Sequence, residues 1–583
     1  MYGSDWRTSP RRFEVVVERD VAIPLSSGDE LVGDLFRPDT DEPVPVVAGF
    51  HPYNNEFQTA PITPEGFSLQ RGWMESGDPY FLARRGYAHG VFNVRGTGKS
   101  TGWYQLMGPR EAADVAEAVE WLAGREWSGG SVGLFGISYF AWLQLQVAQL
   151  APPSLKAIFA PFGATDFYRD FLYHGGILSY RFLLGWKDKL DGLRYKSWYE
   201  ERHGHEAFEQ ALDRALGDDE LAAVPGLVAA LSHPVGSNAL VADVVLSPFD
   251  DDFWAERRVS YAETSVPAYL GACWGLNGLH LPAAFRSFAR WKGPSRLLVG
   301  PDVYLDRPFY QLQYETLRFF DHFLVGNDTG LMDEPRATLF VGRTGRWRRS
   351  DVWPLPETRW TPFYLHEGAV LSEREPPNDM PASTSFEDSP FLHGEATFTT
   401  PRFVEETEIL GPSSVVLHLS TTDKDALVFV SLFAVDREDD EQELARGWLR
   451  ASQAEPDTEH STEIAPRHLH RRRNPLEPGR VYRLEVEISG VSARFEPGER
   501  LGLRIKLADD EPPPDPLRAT GFGHLCRQTA SRCTIHHDDR HPSAVLLPVT
   551  DGNVLGTFLS GGELPVGNGP IPTAKITRVK RPS

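Results

Sequence analysis

The run from Gly86 to Gly136 constrains the fold of this chain more than any other. Two short apolar segments, GYAHGVFNV and GSVGLFG, flank PREAADVAEAVEWLAGREW, in which Ala113, Val115, Ala116, Val119 and Leu122 recur at helical spacing. A buried strand, an amphipathic helix and a second buried strand form a β-α-β unit, and such units build a parallel sheet with both faces covered. PVPVVAGF supplies a further buried strand, and FEVVVERDVAIPL with DELVGDLFRP reads as an antiparallel pair ahead of it. The predicted class is α/β for this part of the chain.

The pattern changes twice. From 165 to 260 the strand signal gives way to aromatic, helix-like segments, which predicts a helical cap; VPAYLGACW and SRLLVG then return to the sheet. The expected α/β core is therefore 1–164 plus 261–350. Beyond it SSVVLHLSTT, ALVFVSLFAVD, VYRLEVEISG, RLGLRIKLA and SAVLLPV alternate with a two-residue period between Gly, Pro and Asp turns. That predicts a separate all-β sandwich of jelly-roll type over 355–583. A chain of 583 residues has room for these units.

Acidic residues outnumber basic ones, 81 to 59, so neither nucleic acid nor an anionic membrane is an expected partner. No window reaches the roughly 18 apolar residues of a spanning helix, and the first residues lack the apolar run of a signal peptide. A cytoplasmic protein is expected. With three cysteines, Cys273, Cys526 and Cys533, no disulfide framework is expected. No cofactor or metal is assigned: HHDDRH at 536–541 reads as a polar turn, and RHLHRRRNP at 467–475 as a solvated basic loop.

GLFGISYFAW carries the chemistry. Gly136-Ile137-Ser138-Tyr139-Phe140 follows an apolar strand and precedes the helix-like AWLQLQVAQLA, the setting of a nucleophile elbow with Ser138 at its tip. Phe140 stands where the second Gly of G-x-S-x-G would be. RGTGKST at 95–101 is not read as a phosphate loop, since Asn93 replaces the leading Gly and no clear helix follows.

With these segments the chain resembles the cocaine esterase and X-prolyl dipeptidyl aminopeptidase family of serine hydrolases. The likeness runs nearly end to end, through RDVAIPLSSGDELVGDLFRP, PVVAGFHPYNNE, NVRGTGKSTG, GLFGISYFAWLQ, SPFDDDFWAERR, LRFFDHFLVG, RGWLRAS and HHDDRHPSAVLLPV. It implies an α/β-hydrolase core, a helical cap and a C-terminal jelly roll, with a small-molecule acyl substrate. It also implies an oxyanion hole from the Tyr139 N–H and the Tyr53 hydroxyl.

The resemblance further implies an acid and a histidine. The acid should follow VPAYLGACW in a Trp-x-Asp-Gly type turn, where this sequence reads Trp274-Gly275-Leu276-Asn277-Gly278 and Asn277 is the closest match. The histidine should follow SRLLVG, where residues 300–310, GPDVYLDRPFY, contain none. A serine hydroxyl without a base is a poor nucleophile. The candidates to replace it are His280 in NGLHLPAAF and Tyr304 or Asp302 in the loop itself. Three readings stay open: an esterase or amidase acting through Ser138; a relative turned to non-hydrolytic acyl transfer, cyclisation or elimination; and a catalytically silent binding protein. Self-association as a homo-oligomer is also left open.

Overall fold

The computed structural model describes residues 7–59, 75–190, 192–301, 307–377, 380–509 and 523–552. Its first sheet contains β1 (Val15–Pro24), β2 (Glu30–Pro38), β3 (Val44–His51), β4 (Ala88–Asn93), β5 (Ser128–Phe135), β6 (Leu155–Pro161), β7 (Ala268–Cys273), β8 (Ser295–Gly300), β9 (Ala337–Phe340) and β10 (Trp347–Ser350). They run in the order β1-β2-β4-β3-β5-β6-β7-β8-β9-β10. Pairing is parallel from β4 through β9 and antiparallel at both edges. β4, β7 and β8 are buried along their whole length, which explains their unbroken apolar runs.

The helices of this unit begin with α1 (Asn55–Thr59), α2 (Pro79–Ala83), α3 (Pro109–Ala123) and α4 (Tyr139–Leu150). Pro109 opens α3 at the position where a missing N–H costs nothing, and the helix buries Val115, Ala118, Val119 and Leu122. α4 is buried on nearly every side from Tyr139 to Ala148, so its pattern is continuous rather than amphipathic.

Between β6 and β7 lie α5 (Tyr180–Lys187), α6 (Trp198–His203), α7 (His205–Leu216), α8 (Asp219–Ala222), α9 (Pro225–Ser232), α10 (Ser237–Leu246) and α11 (Asp252–Ala255). A two-residue hairpin, Tyr173–His174 with Ile177–Leu178, precedes them and is not foreshadowed by the sequence pattern. Asp243 of α10 ties the cap together, accepting from the Tyr195 and Ser197 hydroxyls and the Trp198 and Tyr199 N–H groups. Among the described residues no single helix is long and apolar enough to cross a membrane; α9 and α10 could do so by composition only as a bent pair.

The second sheet system starts at Arg359; among the described residues from there on, strands are interrupted by one short 3-10 helix, Ala451–Gln453. Its longest pair is Thr407–Thr421 with Tyr482–Phe495. It forms a β sandwich with its own core, in which Leu417, Val428, Leu432, Val486, Leu503 and Ile535 are buried. The two units share an interface. α12 (Leu281–Arg290) faces Gly490, whose Cα leaves room for Phe285 and Trp274. The buried Arg450 crosses to the cap, donating to Glu220 at 2.8 and 2.9 Å and to Asp425 at 2.7 Å.

Candidate active site

The elbow between β5 and α4 is set by sterics. Gly136 has φ 123°, and a Cβ there would lie 2.6 Å from the Phe140 side chain. Ser138 sits at φ 60° and ψ −119°, a conformation that non-glycine residues avoid and that costs about 1–3 kcal/mol unless its surroundings enforce it. Phe140, in place of the second glycine, stacks on His51 at 4.9 Å and so packs the first turn of α4 against the end of β3. Ser138 is partly exposed while its neighbours Ile137 and Tyr139 are buried. The Tyr139 N–H belongs to the first turn of α4, where amides lack intrahelical acceptors and carry the positive end of the helix dipole.

Tyr53 reaches the same place by a chain of polar contacts. Asp34 accepts from Asn55 Nδ2 at 2.9 Å, Asn55 Oδ1 meets His51 Nε2 at 3.0 Å, and His51 Nδ1 accepts the Tyr53 N–H at 3.1 Å. Burial lowers the His51 pKa to about 4, so the ring is neutral and both nitrogens serve the loop. The Tyr53 ring lies edge-on to Tyr139 at 6.1 Å, and the Trp186 indole donates to its hydroxyl at 3.2 Å. Asp34, His51 and Asn55 are supporting residues that sequence reasoning did not single out. His51 and Asn55 lie in the HPYNN segment that supplied Tyr53.

The Tyr139 side chain turns to a different task. Its hydroxyl donates to Glu111 at 2.5 Å, and the other Glu111 oxygen accepts the Met107 N–H at 2.5 Å. Burial pushes the Glu111 pKa up to about 7 against these hydrogen bonds. Above the elbow, Phe167 stacks on Trp142 at 4.9 Å and meets Trp186 at 6.0 Å, giving the cap side an aromatic wall.

Asn277 is buried, and its Nδ2 donates to Gly490 O at 3.0 Å, a bond to the β sandwich. His280 is wholly buried at the start of α12, with Nδ1 at 3.1 Å from Gly163 O and its ring edge-on to Phe162 and Phe171. Burial lowers its pKa to about 3, too low for an efficient base near neutral pH. Tyr304 and Asp302 lie outside the described residues.

A carboxyl that sequence reasoning did not single out lies at the nucleophile. Glu75 is buried, and its side chain lies beside Ser138. Its carbonyl accepts the Ile137 N–H at 3.0 Å, and its own N–H donates to Gln58 Oε1 at 2.9 Å. Burial pushes its pKa up to about 8, while the charge of Lys189 and the Ser138 side chain pull the other way. Nothing in the irregular stretch around ESGDP marks this residue in the sequence.

The remaining motifs are absorbed locally. In RGTGKST, Arg95 pairs with Asp114 and Asp29, Lys99 with Asp20, and Ser100 joins Asn93 O to the Val32 N–H. In HHDDRH, His536 meets Ser420, His537 meets Thr384, and His541 meets Asp538. Among the described residues no three His, Cys, Asp or Glu side chains are grouped to hold a metal ion.

The sequence profile of the X-Pro dipeptidyl-peptidase (S15 family) matches residues 27–303, and that of the X-Pro dipeptidyl-peptidase C-terminal non-catalytic domain matches 329–546. The chain belongs to the cocaine esterase and X-Pro dipeptidyl-peptidase family of serine hydrolases. Cocaine esterase from a Rhodococcus species is 27% identical over 91% of this chain and 98% of its own. A putative serine esterase from Mycobacterium bovis is 26% identical over 80% and 83% of the respective chains. In fold, a CocE/NonD family hydrolase from Staphylococcus aureus superposes with a TM-score of 0.74 at 24% identity, covering 92% of this chain and 94% of that one. As a member of this family the chain is an ester- or amide-cleaving hydrolase with an α/β core and a C-terminal all-β domain.

Proposed function

We propose that the chain cleaves a small-molecule ester, and more slowly the corresponding amide, by acylation of Ser138, with the Tyr139 N–H and the Tyr53 hydroxyl stabilising the oxyanion. The observation that carries this reading is the backbone of Ser138 at φ 60° and ψ −119°, directly before the first turn of α4. A strained serine at a helix start, kept partly exposed in a buried setting, has the form of a nucleophile presented to a carbonyl. Attack forms the Oγ–C bond, moves the carbonyl π pair onto oxygen, and expels the alkoxide; water then releases the acid. Phe167 and Trp186 supply an apolar wall that suits an aromatic or aliphatic acyl or leaving group. The acidic surface composition agrees with a cytoplasmic setting.

The test is labelling by a fluorophosphonate, read by mass spectrometry of the Ser138 peptide, beside turnover of a panel of p-nitrophenyl esters. A labelled Ser138 and an inactive Ser138→Ala variant support acylation. The absence of a histidine in residues 300–310 favours one alternative, a non-hydrolytic use of the oxyanion hole. An unlabelled protein whose Ser138→Ala variant still turns over its substrate would establish that alternative.

A further inference from the structure

We propose that Glu75 is the general base of Ser138, occupying the role for which the stretch after β8, residues 300–310, holds no histidine; this rests on the acylation reading above. Three observations carry it. First, Glu75 is held at the elbow through its backbone: the Ile137 N–H binds its carbonyl, Gln58 Oε1 takes its N–H, and the neighbouring Ser76 hydroxyl donates to Gln58 O at 2.5 Å. The residue preceding the nucleophile, α1 and the Glu75 turn are thus fixed to one another, which is the preorganisation a base requires. Second, its side chain lies beside that of Ser138, which is among the groups that hold its pKa down. Third, Glu75 Oε2 is buried and has no hydrogen-bond partner.

That third observation sets Glu75 apart from the buried carboxyls Asp243 and Glu111. The lone pairs of those two are filled by N–H and O–H donors, four on Asp243 and two on Glu111. Glu75 has an oxygen left over beside the nucleophile, at a desolvation cost that a structural role does not offset. His51 holds Asn55 and the Tyr53 amide, and His280 faces Gly163 O with its ring edge-on to two phenylalanine rings.

In the proposed step the ionised Glu75 takes the Ser138 proton as Oγ bonds the carbonyl carbon. The resulting carboxylic acid gives that proton to the departing alkoxide as the C–O bond breaks. A water then enters, loses its proton to Glu75 and attacks the acyl carbon, and the proton returns to Ser138 Oγ. Overall an ester and water give an acid and an alcohol, with Glu75 and Ser138 restored. Burial keeps the carboxyl proton-affine, and Lys189 after α5 is the charged group that acts against this. The base form therefore grows as pH rises towards about 8.

The experiment compares wild type, Glu75→Gln and Glu75→Asp by fluorophosphonate labelling rate and by kcat and KM on p-nitrophenyl butyrate between pH 5.5 and 9.5, with thermal melts as a check on folding. Expected are a wild-type kcat/KM that rises through a midpoint near pH 8 towards a plateau about one pH unit higher, a loss of about 10²–10⁴ in kcat and labelling rate for the folded Glu75→Gln protein with KM nearly unchanged, and a partly active Glu75→Asp protein with a displaced pH profile. Labelling of Glu75→Gln at the wild-type rate overturns the proposal while leaving acylation standing. So does a Glu75→Gln defect confined to KM for esters bearing an amine, which would make the carboxyl a substrate anchor. Failure of wild type to label at any pH, with Ser138→Ala still active, instead removes the acylation reading on which the proposal rests. If Glu75→Gln does not fold, Glu75→Asp decides: an unchanged pH profile in that variant overturns the proposal.

Discussion

The Trp186 indole donates a hydrogen bond to the Tyr53 hydroxyl across 3.2 Å, joining a cap helix to the loop after β3. The indole's hydrogen bond to the oxygen polarises the Tyr53 O–H. Tyr53→Phe is therefore expected to lower kcat/KM by about 10²–10³, the usual consequence of losing one oxyanion donor. Trp186→Phe removes one neutral hydrogen bond, so a loss of about 2–10-fold is expected. Steady-state kinetics on one ester checks both, and an equal loss in the two variants would mean that the indole acts on the substrate directly.

Tyr139 is expected to separate stability from catalysis. Its N–H, not its hydroxyl, faces the proposed oxyanion, while the hydroxyl is spent on Glu111 at 2.5 Å. Tyr139→Phe keeps the N–H and leaves a buried Glu111 oxygen without its donor, at a cost of about 1–3 kcal/mol. Chemical denaturation should show that loss, and kcat/KM should stay within a few-fold of wild type. A loss of activity as large as that of Tyr53→Phe would instead bring the Tyr139 hydroxyl into the reaction.

The sheet and the elbow were legible because they rest on local rules. Val115, Val119 and Leu122 keep helical spacing because α3 buries one face, and Gly136 is required because a Cβ would meet Phe140. The sandwich was legible from two-residue alternation in segments such as VYRLEVEISG, whose residues alternate between buried and more open positions. The site's inner layer was not. Glu75 meets Ser138 from 63 positions earlier in the chain, out of a turn with no periodicity, and only tertiary packing brings them together. Asn277 shows the same limit in reverse. The sequence places it at the acid position, but the fold gives its amide to Gly490 of the sandwich.

Arg450 sets the coupling between sandwich and cap. It is 1% exposed and pairs with Glu220 and Asp425, so truncating it leaves the buried Asp425 without its cation and Glu220 with Arg527 alone at 2.6 Å. Arg450→Met is expected to destabilise the protein by about 3–5 kcal/mol. Arg450→Lys is expected to recover only part of this, since an ammonium cannot reproduce the paired donors to Glu220. Urea unfolding followed by tryptophan fluorescence measures both, and a neutral Arg450→Met would show that the Arg450 ion pairs add nothing to the docking of the domains.

A second polar chain crosses the same interface and gives it a pH dependence. Asp509 meets His524 Nδ1 at 2.8 Å, His524 Nε2 meets His174 Nδ1 at 2.8 Å, and His174 Nε2 meets Gly278 O at 2.7 Å. Burial first, and His524 second, lower the His174 pKa to about 3 from its ordinary 6.5. Because the folded value is depressed, the unfolded chain takes up a proton below pH 6.5 that the folded chain refuses until about pH 3. Stability from a neutral His174 is thus fully present above pH 6.5 and is lost at about 1.4 kcal/mol per pH unit below it. His174→Gln removes that proton uptake. The stability gap between wild type and His174→Gln, measured by urea unfolding, should be widest at pH 8 and should shrink by about 2 kcal/mol at pH 5. A gap that is constant across this range would mean that His174 carries its proton in the folded chain, with the Asp509 carboxylate as its counter-charge through His524.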